Sequence, residues 1–293
     1  MDVAHHAIIG GIGFTALSSG DHELAGIGFM AGSVFPDLDV AFIAFGKRAY
    51  LKNHQGPTHS LVLSPLFALL TAYLISIPSG FEWIVVFATL MGIWIHSLLD
   101  YINTYGICLL WPLNKKKYSL DAVFFIDTVS WVIICGFFAG WYFYGFKPAL
   151  YVYLLLFGGY ASFKLVLQRT VKEKLRCKFA IPSSINPFDF YILEDRGNSI
   201  KTYLHNVLTK KTGRTVYHDN PSDKHVKLAS KSRIYNDMLK IATYLYITDA
   251  HEDHEGTTII ARDIATRNFG GKFGRTTLKF NKDGELIYEM ANI

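Results

Sequence analysis

Long apolar stretches separated by short polar ones fill roughly the first 165 residues of the chain. A helix that crosses a bilayer needs about 20 mostly apolar residues. Four stretches approach or exceed that length, and two weaker, glycine-rich stretches precede them. In chain order, the six stretches are Ala7–Leu17, Leu24–Phe45, Ser60–Ile77, Trp83–Ile102, Ala122–Phe146 and Ala149–Leu167. The pattern predicts an all-α polytopic membrane domain of five to six helices, because a soluble helical bundle would have to bury four long apolar runs within half of the chain.

Short alternating runs replace the long apolar stretches after residue 168. The runs that predict strands or a hairpin are FDFYILED (188–195), GRTVYHD (213–219) and TTLKFNKDGELIYEM (276–290), the last turned at Asp283-Gly284. Apolar residues from Ile234 to Leu245 recur at helical spacing and predict a helix between the strands. We therefore predict a membrane-embedded domain over residues 1–168 and a small soluble α+β domain over residues 169–293.

Composition and charge support this division. The chain is 51% hydrophobic and 18% charged, against roughly 25% charged residues in an ordinary soluble domain. Residues 1–165 carry 8 Lys/Arg and 9 Asp/Glu, a net charge of −1, whereas residues 166–293 carry 21 and 15, a net charge of +6. The three cysteines form no CxxC motif, so we expect neither a disulfide framework nor a thiolate metal site. Basic residues of the second domain are scattered, and nucleic-acid binding is not expected.

The basic loops predict how the chain is oriented in the membrane. Six of the eight Lys and Arg residues before residue 166 lie in two loops, 46–58 and 103–121, and three of these six form the run Lys115–Lys117. Both loops and the basic second domain fall on the same side as the amino terminus. Short loops rich in Lys and Arg stay in the cytoplasm. We predict a multi-pass protein of the cell (inner) membrane with both termini in the cytoplasm.

Histidines and aspartates gather at the predicted cytoplasmic ends of the apolar segments. They are His6 with its neighbour His5, Asp37, Asp39, His54, His59, His96, Asp100 and Asp127. His96 and Asp100 are four residues apart, which places both on one face of a helix. Ionisable residues in or near a bilayer are costly and usually mark a functional site. Each residue alone also has an ordinary interpretation, such as a core histidine, a structural hydrogen bond or a helix cap. Their shared position favours a single site.

The donor types indicate a metal centre. Imidazole and carboxylate groups without a thiolate suit zinc, manganese or iron better than magnesium or calcium. A catalytic zinc takes about three protein ligands and a water. The candidate pool is large enough for two divalent ions, zinc being favoured, and two ions are common in enzymes that hydrolyse phosphate esters. A metal or proton transporter is the main alternative, although a transport path should carry polar residues on both sides of the membrane. A non-catalytic membrane scaffold is a third possibility.

Five motifs carry a resemblance to a known family. They are HHAIIGG (5–11), PDLD (36–39), NHQGPTHS (53–60), HSLLDYINTYG (96–106) with LWPL (110–113), and FFIDT (124–128). In order and spacing they resemble the YdjM-like family of inner-membrane-associated, metal-dependent hydrolases, particularly the longer Bacillus-type members with a carboxy-terminal domain. Two positions depart from the family pattern: Gln55 stands where arginine is usual, and Thr128 stands where proline is usual. The loss of arginine removes a bidentate anion-binding group.

The resemblance implies both the ligands and the reaction. The implied metal ligands are His6, Asp37, Asp39, His54, His59, His96, Asp100 and Asp127. We expect Asp39, Asp100 and His59 to be catalytic, with one of the carboxylates or an unligated histidine as the general base. We expect a binuclear hydrolase that acts on a phosphoester or lipid-like substrate at the cytoplasmic face of the membrane. Its expected partners are membrane lipids and a phospholipid or phosphodiester substrate. Lys115–Lys117 and Trp111 would attract an anionic headgroup or serve only as a topology anchor.

Overall fold

A computed structural model of the protein describes residues 2–18, 22–196, 199–219, 221–269 and 273–292. The chain divides into two compact units, Met1–Leu120 and Asp121–Ile293. The domain boundary predicted after residue 168 falls within one long helix of the second unit, Phe146–Leu175.

The first unit is built from five α-helices and two 3₁₀ helices within its described residues. The α-helices are α1 (Val3–Leu17), α2 (Glu23–Val34), α3 (Lys47–Asn53), α4 (Ser64–Ser76) and α5 (Trp83–Ile102), and the 3₁₀ helices are Phe35–Phe45 and Pro57–His59. Proline stands at the start of each 3₁₀ helix, where its missing N–H has no helical partner to lose. The predicted second segment therefore consists of α2 followed by a tighter helix that begins beside Pro36.

Close contact between α2 and α5 organises the first unit. An added Cβ on Gly32 of α2 would lie 2.1 Å from the carbonyl oxygen of Thr89, and one on Gly92 of α5 would lie 2.3 Å from that of Phe29. Small residues let two helix backbones approach in this way. A buried apolar cluster that includes Ala68 and Ile93 joins α4 to the same face. The end of α5 is therefore held firmly against the end of α2.

Within its described residues, the second unit contains four α-helices, of which the first two are apolar, and two β-sheets. The helices are α6 (Thr128–Tyr144), α7 (Phe146–Leu175), α8 (Asp223–Ser230) and α9 (Arg233–Ile241). The first sheet contains β1 (Phe179–Pro182), β2 (Asp189–Asp195), β3 (Ser199–Asn206) and β4 (Val216–Asp219), and the second contains β5 (Leu245–Glu252), β6 (Thr257–Asp263), β7 (Arg275–Phe280) and β8 (Leu286–Asn292). Neighbouring strands are antiparallel in both sheets, which run in chain order.

The sheets confirm the strands expected from the sequence. β2 and β4 occupy two of the predicted runs, and β7 and β8 form the predicted hairpin, with Gly284 at a φ of 74° in its turn. The predicted helix was too long: α9 ends at Ile241, and Leu245 begins β5. The position of Leu245 fits the apolar spacing of the helix as well as that of a strand, but Leu245 is buried as the first residue of β5.

Three helical segments of the described chain are long and apolar enough to cross a membrane: Glu23–Phe45, Trp83–Ile102 and Phe146–Leu175. Shorter apolar helices are Val3–Leu17, Ser64–Ser76 and Thr128–Tyr144. The structure thus contains a helical amino-terminal region followed by a β-sheet domain. The predicted total of five to six spans stays a prediction.

Candidate metal centre

Four of the predicted ligands converge at one end of the helices of the first unit. α1 supplies His6 from its first turn, the 3₁₀ helix after α2 supplies Asp37, and the last two turns of α5 supply His96 and Asp100. One possible ligand atom from each residue lies within 4.8 Å of those of the other three. We call these residues the four-residue group. His96 and Asp100 meet there because they are one helical turn apart, as their spacing predicted.

A backbone carbonyl fixes the orientation of His96. Its Nδ1 lies 2.8 Å from the carbonyl oxygen of Ser33. A carbonyl oxygen only accepts hydrogen bonds, so Nδ1 carries a proton, and in the neutral ring Nε2 carries the lone pair. That Nε2 atom lies 3.4 Å from Oδ2 of Asp100 and 3.7 Å from Oδ1 of Asp37. Such an outward hydrogen bond is typical of histidines that bind metals through their other nitrogen.

His6 lies between the two aspartates of the four-residue group. Its Nδ1 lies 3.0 Å from Oδ2 of Asp37, and its Nε2 lies 3.5 Å from Oδ1 of Asp100. The Nε2 atom is buried and makes no hydrogen bond. The ring stacks on that of His96 with their centroids 3.6 Å apart. A buried nitrogen without a hydrogen-bond partner normally costs stability, and a bound cation would satisfy it.

His59 adds a third imidazole beside the four-residue group. Its Nδ1 lies 3.1 Å from Oγ1 of Thr58 and 3.6 Å from Oδ2 of Asp39. Its Nε2 lies 3.2 Å from both Oδ2 of Asp100 and Nε2 of His96. Burial lowers the pKa of His59 and outweighs the nearby Asp100 carboxylate, which raises it. The neutral ring that metal binding requires is therefore favoured.

Taken together, three imidazoles direct their Nε2 atoms towards the carboxylate of Asp100. The side chains of His6, His59 and His96 are fully buried, and that of Asp100 is 3% exposed. Two Nε2 atoms 3.2 Å apart cannot both carry protons, so at least one of them presents a lone pair. A divalent ion would accept lone pairs from imidazole and carboxylate groups, so the donor set fits such an ion.

Asp39 and His54 form a second layer around His59. Oδ1 of Asp39 lies 2.9 Å from Nδ1 of His54, and Oδ2 accepts a hydrogen bond from the backbone N–H of Gln55 at 2.8 Å. The ring of His54 stacks on Tyr50, and 27% of its side chain is exposed. Neither residue belongs to the four-residue group. Their assignment as metal ligands stays a prediction, whereas Asp39 contacts His59 and is itself held by His54.

The remaining predicted ligand, Asp127, belongs to the second unit. It caps the start of α6, where Oδ1 accepts a hydrogen bond from the backbone N–H of Ser130 at 2.9 Å. Its Oδ2 accepts a hydrogen bond from the hydroxyl of Tyr160, also at 2.9 Å. Its metal-binding role stays a prediction. His5, the neighbour of His6, bonds Asp2 at the start of α1 through Nδ1, at 2.9 Å.

Two contacts at the site were not foreseen from the sequence. The carbonyl of Ser33 orients His96, and no residue-type signal identifies a backbone atom. Lys117 donates a hydrogen bond to Oε1 of Gln55 at 2.8 Å. The position where the family usually has arginine is therefore contacted by a positive charge from elsewhere in the chain. The sequence feature that could have indicated this contact is the lysine run, which lies in the other basic loop.

The fold and the cluster define a class: a helical membrane protein with a buried His/Asp group at one end of its helices. A model of the YdjM inner membrane protein family matches residues 1–171, which is more than half of the chain. The chain therefore belongs to the YdjM inner membrane protein family, and the resemblance noted from the motifs is confirmed.

A curated relative has no assigned function. The chain is 28% identical over 155 residues to the "Uncharacterized protein YfhP" of Bacillus subtilis (strain 168), and the match covers 51% of the chain and 46% of that protein. The matched part thus spans about half the length of the relative. No solved structure matches the chain at a significant level.

Proposed function

We propose that this protein is a membrane-embedded, metal-dependent hydrolase acting on a phosphoester or lipid-like substrate at the cytoplasmic membrane face. One observation carries the proposal: three buried imidazole Nε2 atoms surround the carboxylate of Asp100. The family supplies the inner-membrane setting. Zinc is the favoured ion, with manganese or iron as alternatives, because the donors are nitrogen and carboxylate oxygen.

A divalent ion held by the four-residue group would lower the pKa of a bound water and polarise the scissile group. The side chain of Asp37 is 11% exposed, against 3% for Asp100. We therefore place the entry for substrate on the side of Asp37. His59 lies beside the group with Asp39 behind its Nδ1, which is the arrangement of a general base oriented by a carboxylate.

The number of ions decides the role of His59. One ion per chain, held by the four-residue group, leaves its Nε2 available to accept a proton from water. Two ions per chain, as the sequence predicts, would require His59 and Asp39 as ligands of the second ion. Metal content per chain in the purified protein distinguishes these two forms of the proposal.

Surface residues near the site support a lipid-like substrate. The loop that follows α5 exposes Leu110 and Leu113, with 42% and 80% of their surface accessible, just before the run Lys115–Lys117. Apolar and basic side chains together suit the headgroup region of an anionic membrane, where each basic residue contributes about 1 kcal/mol. This pairing favours a substrate with an apolar part and a negative charge.

Transport is disfavoured by the distribution of ionisable residues. Along α5, the described residues from Trp83 to Ile95 carry no ionisable side chain, and His96 and Asp100 follow only in the last two turns. A proton or metal path across the membrane would require polar groups along the whole helix. A scaffold would require no metal at all.

Metal analysis of the purified full-length protein tests the proposal. We expect about one or two zinc, manganese or iron ions per chain in the wild type and a loss of most of that metal in His96→Ala. His251→Ala is the control, because His251 is an exposed residue of β5. Metal-dependent turnover of a phospholipid and phosphodiester panel, abolished by Asp100→Asn, then separates an enzyme from a transporter. A wild-type protein without a bound transition metal would refute the proposal.

A further inference from the structure

We propose that the last two turns of the 3₁₀ helix Phe35–Phe45 are a membrane-docking surface that lies in the headgroup region of the leaflet beside the metal centre. The surface consists of Val40, Ile43 and Phe45, which we call the docking residues. Its partner is an anionic lipid bilayer. The docking requires only the inner-membrane setting that the family supplies, so it does not depend on the proposed hydrolase activity.

The docking residues are apolar and exposed. Val40 is 50% exposed, Ile43 54% and Phe45 80%. Ala41 and Ala44, which lie between them, are exposed as well. Adjoining apolar residues on a surface commonly mark a contact with a membrane or with another protein. The end of this helix therefore calls for a partner beyond the part of the chain that the structure describes.

Contacts with α5 show how deep this helix lies in a bilayer. α5 has 20 residues and is long and apolar enough to cross a membrane; it rises about 30 Å, the thickness of the hydrocarbon core. His96 and Asp100 lie about 9 and 3 Å before its end at Ile102. Asp37 contacts this part of α5, with its Oδ1 3.7 Å from Nε2 of His96. With α5 spanning the core, Asp37 lies about 3–9 Å inside the core boundary.

The docking residues extend to that boundary and beyond it. A 3₁₀ helix rises about 2.0 Å per residue, which places Ile43 about 12 Å from Asp37 along the axis. A helix that continues alongside α5 would carry Ile43 about 3–9 Å past the core, and the headgroup region is about 5–7 Å thick on each side. A helix that bends away from α5 would lie in the plane of the same region. Both courses place Ile43 at headgroup level, and the bent course also keeps Phe45 there.

The exposure along one row of the helix agrees with this course. With three residues per turn, Asp37, Val40 and Ile43 form a single row, whereas in an α-helix Ile43 would lie about 120° around the axis from Asp37. The side chain of Asp37 is 11% exposed, and the other two residues of the row are half-exposed. This change is expected where a row passes the ends of the helices beside it. Docking of Val40 and Ile43 would also fix the rotation of the helix, and with it the carboxylate that contacts His6 at 3.0 Å.

The charge that follows the docking residues fits an anionic leaflet. Residues 47–52 contain three Lys/Arg and no Asp/Glu. Basic residues beside a membrane are attracted to anionic lipids. An apolar face joined to basic residues is typical of helices that lie in the membrane interface. This combination favours a lipid surface over a protein partner.

Spin-label accessibility in the reconstituted full-length protein tests the proposed position. Ile43→Cys and Phe45→Cys carry the label at the docking surface. Leu70→Cys, on the exposed apolar face of α4, is the reference for the hydrocarbon core. Ser230→Cys, at the exposed end of α8, is the reference for water. Each variant is first checked for the melting temperature of the unlabelled protein.

The natural cysteines and the bilayer are chosen to keep the signal specific. Cys135 and Cys177 are replaced by serine in every variant, whereas Cys108 is buried and is kept. The bilayer contains equal amounts of phosphatidylglycerol and phosphatidylcholine. The collision probe is a neutral, water-soluble nickel chelate, whose distribution does not depend on the charge of the lipids.

We expect nickel collision at Ile43→Cys and Phe45→Cys to be at least threefold lower than at Ser230→Cys and at least threefold higher than at Leu70→Cys. In bilayers of phosphatidylcholine alone, nickel collision at Ile43→Cys should rise about twofold, because the attraction of the basic residues is lost. Leu70→Cys should be unchanged.

Three results would overturn the proposal. Nickel collision at Ile43→Cys equal to that at Ser230→Cys would place the helix end in water, as expected if a protein partner absent from these bilayers normally covers it. Equality with Leu70→Cys would place the helix end inside the hydrocarbon core. No change without phosphatidylglycerol would exclude an anionic surface as the specific partner. Metal content does not enter this measurement, so loss of the hydrolase proposal would leave its outcome intact.

Discussion

Replacing Gly92 with alanine should weaken metal binding although Gly92 is not itself a candidate ligand. A Cβ at this position would lie 2.3 Å from the carbonyl oxygen of Phe29 and 2.8 Å from the backbone nitrogen of Ser33, and ordinary contact begins near 3.4 Å. The partners are backbone atoms of α2, which cannot rotate away as a side chain would. The two helices would therefore have to separate by about 1 Å at this point, the difference between 2.3 and 3.4 Å.

That separation acts directly on the orientation of a ligand. His96 lies one turn beyond Gly92 on α5, and its 2.8 Å hydrogen bond to Ser33 crosses the same interface. An extra separation of about 1 Å would break this bond, and losing such a partner commonly costs about 10–100-fold in metal affinity. Overpacking of a close interface also destabilises a protein by about 1–3 kcal/mol. We expect lower metal affinity and a lower melting temperature together.

Chelator competition on the solubilised full-length protein measures the affinity. Gly11→Ala is the matched control, since nothing lies within 4 Å of a Cβ there, and the substitution is the same in a helix of the same unit. The control should keep wild-type affinity. If Gly92→Ala also kept wild-type affinity and melting temperature, the close packing of α2 and α5 would not be what positions His96.

Two further predictions concern protonation and Asp127. In the two-ion form, in which His59 is a ligand, acid should release the ion bound to His59 with a midpoint below 6.5, the ordinary pKa of histidine. Burial lowers the pKa of His59 against the opposing effect of Asp100, so its ring stays neutral until the pH falls lower. Metal content measured against pH checks this, and release of that ion at or above 6.5 would contradict it. Asp127→Ala should destabilise the protein by about 1 kcal/mol by removing the cap on α6, while Asp127→Asn should keep the cap. Metal content should be unchanged in both variants, and its loss in both would instead make Asp127 a ligand.

Helix positions were predicted well where hydrophobicity alone determined them. The segment predicted from Trp83 to Ile102 coincides with α5, which is 20 residues long and mostly apolar. The segment predicted from Ser60 was too long, and α4 begins at Ser64. Ser60 donates its hydroxyl to the carbonyl of Trp111, and Leu61 bonds the backbone of the loop after α5. At Ser60 and Leu61, hydrogen bonds to a distant part of the chain take the place of helical ones. The hydrophobic periodicity of the sequence carries no information about such contacts.

The fifth segment shows the same limit. Its prediction began at Ala122, but α6 begins at Thr128, after the capping residue Asp127. Ala122 and Phe124 are apolar and buried without being helical. Burial in an irregular segment gives the same hydropathy signal as a membrane helix, so hydropathy extended the helix beyond its cap.

The members of the four-residue group could be singled out as candidate ligands because ionisable residues are scarce in the apolar half of the chain. Their geometry could not be predicted, since it depends on Ser33, whose contribution is a backbone carbonyl. Nor could the sequence decide which of His54 and His59, two histidines of one motif, lies beside the four-residue group. The structure gives them different surroundings: His59 is fully buried against Asp100, whereas His54 is partly exposed against Asp39.

The energetics of burial favour a bound cation over a structural role for this cluster. Three imidazoles and the carboxylate of Asp100 are at most 3% exposed, and each loses hydration on folding. Well-packed apolar side chains of similar volume generally stabilise a core as well as buried ion pairs do, or better. The hydrogen bonds among these residues leave Nε2 of His6 without a partner. A hydrogen-bond network with a purely structural role would give that nitrogen a partner. In a metal site, its lone pair is instead kept for the ion. The cost of burying the cluster is therefore the one expected of a site built to bind a cation.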